Sequence, residues 1–300
     1  MTYRSALLTM KNPTLSFYNS LSSTGFHQLA FHHYPYTGDE KKDDKMTVIC
    51  VHGLTRNKGD FKNIAFCLQN ISDVYCLDIV GRGESDHLSN YQLYDYPQYV
   101  TDLSHFFAHI NRRNIHWIGT SMGGILGMIL ASLPNTPIKS LTINDVGYFI
   151  PAQSLQKIAE YVGNTSEFES FQQGKDYLKR IHHEFAPMSE EDWYDMASNS
   201  LFENENGAVQ LSYDPQIGTK LRELDLSQDV DLSAIWQNII CPTLVIRGEN
   251  SKLFPQNIAD NMVKDKANVD MIEINGAGHA PSLNGTYEQT KIFDWLKRFA

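Results

Sequence analysis

The chain has 300 residues, of which 42% are hydrophobic and 20% charged, an ordinary balance for a globular domain with a sizeable core. Lys and Arg number 25 against 35 Asp and Glu, and the net charge of −10 argues against nucleic acid or an anionic membrane as the main partner. The four cysteines, Cys50, Cys67, Cys76 and Cys241, show no C-x-x-C spacing, so they read as small buried hydrophobes rather than as a metal or disulfide framework.

The N-terminal stretch "MTYRSALLTMKNPTLSFYNS" has no long apolar core and no small-residue cleavage site, and does not read as a signal peptide. "TLSFYNS" and "HQLAFHHYPY" then predict an opening hairpin, and the charge run 39–45, "DEKKDDK", a solvated loop. "MTVICVH" (46–52) is a continuous apolar run of the kind found in buried parallel strands. Helical spacing follows in "GDFKNIAFCLQNI", with Asp60 as its expected N-cap, and "DVYCLDI" (73–79) predicts the next strand. In 96–113, Tyr99, Leu103, Phe106, Phe107 and Ile110 fall on one helical face. "NIHWIGT" (114–120) predicts a strand, "MGGILGMILASL" a helix stopped by Pro134, and "IKSLTINDV" (138–146) a further strand. The rhythm breaks over 150–236, where aromatics and charges carry helical spacing without clear strands. It resumes with a strand at 241–248, a helix near 255–265, a strand at 269–275 and a helix at 286–299. Alternating strands and helices with apolar strands predict an α/β fold: a mostly parallel sheet covered by helices on both faces, built from 1–149 and 237–300, with 150–236 as a helical insertion. No apolar run reaches membrane-spanning length, and the reducing cytoplasm is the expected compartment.

Chemistry concentrates where strand gives way to helix. Gly119-Thr120-Ser121-Met122-Gly123 is a G-x-S-x-G pattern in a strand–turn–helix context, which lifts Ser121 above the carboxyl edge of the sheet as a candidate nucleophile. The helix that starts there points its first amides at developing negative charge. Of eleven histidines, His279 lies in the glycine-rich loop "NGAGHAPSL" between the last strand and the last helix, where a general base for Ser121 is needed. Two backbone amides are required for the oxyanion, and the candidates are Met122, after the nucleophile, and Leu54, after the strand ending in "VHGL". His182-His183-Glu184 lacks the H-E-x-x-H spacing of a metal site and reads as a surface feature of the insertion.

With His52-Gly53, the loop Asp78-x-x-Gly81-Arg82-Gly83-x-Ser85-Asp86, the Ser121 turn and Gly278-His279, the chain resembles the α/β-hydrolase superfamily over nearly its whole length. The resemblance implies eight strands, a lid inserted after the sixth, and nucleophile, acid and histidine in that chain order; the loop sequences look like those of the capped serine-esterase branch. Family members commonly carry the acid after the seventh strand, but that stretch here is Gly248-Glu249-Asn250-Ser251-Lys252, with serine at the aligned position. The other location the family uses is the end of the sixth strand, where Asp145 stands. Asp145 is the favoured acid, Glu249 the alternative, and the lack of any working acid the third reading. Arg82 and Asp86 are expected to form an ion pair.

The expectation is therefore a serine hydrolase that cleaves a carboxylic ester of a small or medium acyl group through an acyl-enzyme. The catalytic residues would be Ser121, Asp145 and His279, with a mostly apolar cleft roofed by the insertion. No cofactor, metal, nucleic acid or membrane is expected, and the partner is a small-molecule substrate. A carbon–carbon bond hydrolase of the ring-cleavage type and a non-hydrolytic ligand receptor share the same fold. The oligomeric state stays open, with a homodimer among the options.

Overall fold

A computed structural model of the chain describes residues 11–38, 46–164, 167–185 and 187–300. The N-terminal decapeptide and the charge run 39–45 lie outside the described residues. The hairpin of β1 (Thr14–Ser22) and β2 (Gly25–Tyr34) opens one edge of an eight-stranded sheet. The remaining strands are β3 (Thr47–Val51), β4 (Asp73–Leu77), β5 (Ile115–Thr120), β6 (Ile138–Asn144), β7 (Thr243–Gly248) and β8 (Val269–Ile274). Their spatial order is β1-β2-β4-β3-β5-β6-β7-β8. Only β1–β2 and β2–β4 pair antiparallel; every other pair is parallel.

The continuous apolar runs follow from burial on both faces. In β3, Ile49 and Val51 point into one core while Val48 and Cys50 point into the other. The first core holds α2 (Tyr96–Ile110), α3 (Met122–Ser132) and α9 (Gln256–Asp265) through Phe106, Leu126 and Met262. The second holds α1 (Lys62–Leu68) and α10 (Thr286–Leu296) through Leu68, Ile292 and Phe293. Cys50, Cys67 and Cys76 are buried within these layers and Cys241 is half-buried; all four are free thiols.

Helix α1 begins later than its sequence spacing predicts. A 3₁₀ turn, Lys58–Phe61, precedes it, and the cap of that turn is the Asn57 side chain, which accepts from the Gly59 amide at 2.9 Å. Asp60 is not a cap: its carboxylate grips the Arg56 guanidinium at 3.0 and 2.5 Å. Between β6 and β7 the chain forms α4 (Ala152–Ala159), α5 (Phe171–Ile181), α6 (Glu190–Ser200), α7 (Gln216–Arg222) and α8 (Ser233–Gln237). This segment also carries two short ladders that the sequence reading missed, Phe149–Ile150 with Val230–Asp231 and Leu201–Glu203 with Val209–Leu211. Strands of two or three residues are too short to display a period of two. Among the described residues, no helix is long and apolar enough to cross a membrane.

Candidate active site

From β3 the chain moves to β4 on one side, and β5 then takes the place on the other. The carboxyl ends of β3 and β5 therefore flank a switch point in strand order, the usual place for a ligand in such sheets. Val51 is in register with Gly119, so the loops after these two strands start side by side.

Ser121 alone turns β5 into α3, with φ 50° and ψ −111°. A side chain held at such a φ costs on the order of 1–3 kcal/mol and persists only where the surroundings over-determine it. The surroundings here do so. The Ser121 amide donates to the Asn144 carbonyl at 2.9 Å, and the Trp117 indole N–H donates to the Gly123 carbonyl at 2.9 Å, tying helix to strand. A Cβ at Gly123 would run into the Val51 carbonyl, and one at Gly124 would lie 2.7 Å from the Val146 side chain. The glycines after Ser121 thus let α3 settle directly onto β3 and β6. Met122 is the first residue of α3, so its N–H has no acceptor within the helix.

The loop after β3 is shaped from beneath by His52. This residue is fully buried, and burial lowers its pKa from 6.5 to about 3, so the ring is neutral. Its Nε2 accepts from the Ile79 amide at 3.0 Å, which leaves the proton on Nδ1, and that N–H donates to the Gly53 carbonyl at 2.7 Å. A Cβ on Gly53 would come within 3.8 Å of the Ser121 Cβ, which measures how closely the Gly53-Leu54 backbone passes the serine. Arg82 holds the next carbonyl. Its Nε donates to Leu54 O at 2.8 Å, Nη1 to Val80 O at 2.7 Å and to the Tyr99 hydroxyl at 3.0 Å, and Nη2 lies 3.8 Å from Met122 Sδ. The expected Arg82–Asp86 ion pair does not form: Asp86 accepts from the Gln28 amide instead, while the Arg82 guanidinium lies over the Tyr99 ring at 5.0 Å. Arg82 therefore reaches both residues whose amides were singled out for the oxyanion.

On the far side of Ser121, Asp145 follows β6 directly and is fully buried. Its carboxylate accepts three hydrogen bonds: Gly248 N–H to Oδ1 at 2.7 Å, Ser251 Oγ–H to Oδ2 at 2.6 Å, and His279 Nδ1–H to Oδ2 at 2.8 Å. Ser251 is thus a donor to a carboxylate that lies one strand away. It also accepts from the Phe254 amide at 3.1 Å, which fixes its rotamer. Glu249 points elsewhere: it is exposed, and its Oε2 accepts from the Gly276 amide at 2.8 Å. The loop carrying His279 is anchored by Asn144, whose Nδ2 donates to Thr120 Oγ1 at 3.1 Å and to the Pro281 carbonyl at 2.9 Å. Ser121 and His279 line one cleft together with Leu54.

Comparison with known proteins identifies the family of the fold. A family-wide sequence profile described as alpha/beta hydrolase fold matches residues 47–286. The chain belongs to the alpha/beta hydrolase family. Among curated relatives, the 3-hydroxybutyrate-oligomer hydrolase of Cupriavidus necator is 34% identical over 91% of this chain and 94% of its own length. A putative esterase/lipase of Haemophilus influenzae is 24% identical over 77% of this chain and 76% of its own. Among solved structures, a putative hydrolase from Rickettsia typhi superposes with a TM-score of 0.85 at 33% identity, covering 96% of this chain and 99% of that one. The chain is an alpha/beta-fold hydrolase.

Two residues of this hydrolase's cleft, His182 and Arg56, have no role that the sequence alone announces. The sequence alone places His182 on the surface of the insertion, yet it is only 5% exposed and lines the cleft alongside His279. Burial first, and then the nearby Arg56 and His279, hold its imidazole well below the ordinary pKa, so it is neutral. Arg56 is buried, lines the same cleft, and donates from Nη1 to Ser200 Oγ at 2.6 Å; Asn57 Nδ2 donates to the Asn199 carbonyl at 2.6 Å. These bonds stitch the loop after β3 to α6, an interaction across about 140 residues of chain that no local pattern announces. The cleft lining is apolar in its larger part and carries polar groups as well. Tyr161, Phe185 and Met196 line it, but so do Arg56, Asp60, Asn63, His182 and Asn199.

Proposed function

We propose that this hydrolase cleaves a carboxylic ester of a short hydroxy acid by way of an acyl-enzyme. Its substrate class would be the short oligoesters named for the Cupriavidus relative. The observation that carries the reading is the hydrogen bond between His279 Nδ1 and the buried Asp145 carboxylate, beside a serine held in a strained turn within one cleft.

In this reading Asp145 keeps the imidazole proton on Nδ1 and leaves Nε2 free to take the Ser121 hydroxyl proton. Ser121 Oγ attacks the ester carbon, the carbonyl π electrons move to oxygen, and the Leu54 and Met122 amides hold that oxyanion. As the tetrahedral intermediate collapses, His279 returns the proton to the leaving alkoxide, and the alcohol departs. Water then repeats the sequence on the acyl-enzyme and frees the acid. No cofactor or metal takes part. The segment 150–236 acts as the lid: Ile158, Tyr161 and His182 from it line the cleft. The modest cleft volume, about 70 Å³, suits a short acyl group, and its polar lining suits an acyl chain that carries a hydroxyl.

The test is a panel of p-nitrophenyl esters of increasing acyl length together with 3-hydroxybutyrate dimer and trimer, assayed with the wild type and with Ser121→Ala. The reading expects turnover that favours short, hydroxylated acyl groups and vanishes with Ser121→Ala. A folded wild type inert towards every ester would overturn the ester reading and favour the carbon–carbon bond hydrolase instead.

A further inference from the structure

A second cavity, of about 330 Å³, is also lined by His279. His182 and His279 line both this cavity and the Ser121 cleft, whereas Ser121, Leu54 and Thr120 line the cleft alone. The chemistry then assigns sides. His279 must hand its proton to the leaving oxygen, so the leaving alcohol lies towards the imidazole, and the space beyond the imidazole is where that alcohol extends.

The lining of that space is charged. Lys157 from α4, Arg180 from α5 and Lys252 from the loop after β7 line it and are exposed, against Glu160 and Glu184. Among the described residues, none of the three cations is paired with a carboxylate; Arg180 only rests over the Tyr177 ring at 5.2 Å. A surplus of unpaired cations beside the reacting centre runs against the chain's net charge of −10. At the inner wall, the buried His182 ring packs edge-on to Tyr161 at 6.0 Å and against Phe185 at 4.6 Å, and its nitrogens make no hydrogen bond among the described residues. A neutral imidazole so placed can donate to or accept from a ligand oxygen. The walls do not depend on chance contacts: Ser154 Oγ donates to the Lys252 carbonyl at 3.0 Å, and the Gly278 amide to the Glu184 carbonyl at 2.6 Å, joining α4 and the turn after α5 to the core loops.

We propose that this cavity is the leaving-group subsite and that it selects alcohols ending in a carboxylate, with His182 on its inner wall and Lys157, Arg180 and Lys252 at its mouth. This assignment rests on the ester-hydrolase reading above and sharpens it: the enzyme cleaves acid-terminated oligoesters at the bond nearest the free carboxylate. In a dimer of 3-hydroxybutyrate, three bonds separate the leaving oxygen from the carboxylate carbon. The charge would then lie just beyond the imidazole.

The experiment compares the 3-hydroxybutyrate dimer as free acid with its methyl ester, following cleavage of the internal ester by chromatography of the products. For the wild type, kcat/KM for the acid is expected to exceed that for the methyl ester by about fivefold or more, a preference that shrinks in 0.5 M NaCl as expected for exposed charges. In the double variant Lys157→Met/Lys252→Met the ratio is expected to fall towards one, with the change carried by KM. Both sites are exposed, and thermal unfolding verifies that the fold is kept. Cleavage of the two substrates at equal efficiency, or a ratio that the double variant leaves intact, overturns the subsite while the hydrolase reading stands. Cleavage of neither overturns both.

Discussion

Replacing Asp145 by Asn removes one charge from a site whose geometry is otherwise preserved. Gly248 N–H donates to Oδ1 at 2.7 Å, so the amide oxygen of an asparagine would stay there and its NH₂ would occupy the place of Oδ2. That place receives donors from Ser251 at 2.6 Å and from His279 Nδ1 at 2.8 Å, and an NH₂ cannot accept from either. The imidazole escapes the clash by moving its proton to Nε2, which then points a hydrogen at Ser121 instead of a lone pair. The same replacement in the serine-protease triad lowers turnover by about 10⁴, equivalent to about 5.5 kcal/mol, and a loss of that order is expected here. The assay is p-nitrophenyl ester turnover alongside thermal unfolding. Glu249→Gln is the control: the side chain is exposed and the Gly276 amide keeps an acceptor, so turnover should stay within about threefold, in keeping with a surface substitution. Ser251→Ala should lower stability by about 1.5–3 kcal/mol, the value of a hydrogen bond to a charged group, with a smaller effect on rate than Asp145→Asn. The reasoning is refuted if Asp145→Asn, at unchanged melting temperature, retains more than a tenth of the wild-type turnover, or if Glu249→Gln loses more.

Other consequences can be measured independently. Arg82→Lys cannot reproduce bonds to Leu54 O, Val80 O and Tyr99 at once, so kcat should drop by about 10- to 100-fold with little change in KM, as for a disturbed oxyanion donor; steady-state kinetics on one ester decides it. Lys58→Met leaves the fully buried Asp78 carboxylate without the ammonium that lies 2.6 Å from it, and should cost about 3–5 kcal/mol, read from the shift of the urea midpoint. His116 is buried between Ser140 Oγ at 2.8 Å and Asn114 Oδ1 at 3.2 Å, and burial lowers its pKa from 6.5 to about 4. The unfolded chain therefore binds the extra proton between these values, and stability, complete above pH 6.5, is lost as pH falls towards 4. The loss amounts to at most on the order of 3 kcal/mol from this residue. His116→Gln should flatten that acid limb in chemical denaturation at successive pH values; an unchanged slope would contradict it.

Much of the architecture was legible because it is local. The strands predicted at 46–52, 114–120 and 241–248 are runs buried on two faces, and such runs stay apolar whatever surrounds them. The turn at Ser121 was legible because only glycines fit where α3 meets Val51 and Val146. What stayed hidden depends on partners distant in sequence. Asp60 looked like a cap because it opens a helical run, but Arg56, four residues earlier, claims its carboxylate. Arg82 and Asp86 looked like an ion pair because they are close in sequence, yet the guanidinium is drawn to carbonyls and to Tyr99 on other elements. His182 looked superficial because an insertion's helices reveal their inner face only once docked on the sheet edge. Ser251 presented the subtler case: its failure to be an acid was legible, its hydrogen bond to Asp145 was not.

The central claim is that Ser121 is a nucleophile activated by His279. The most direct measurement is intact-mass and peptide-mass analysis of the folded protein after treatment with a fluorophosphonate. The account predicts one adduct, on the peptide that contains Ser121, formed rapidly by the wild type, far more slowly by His279→Ala, and not at all by Ser121→Ala. A folded wild-type protein that gains no adduct, or gains one elsewhere while Ser121→Ala still turns over esters, would contradict it.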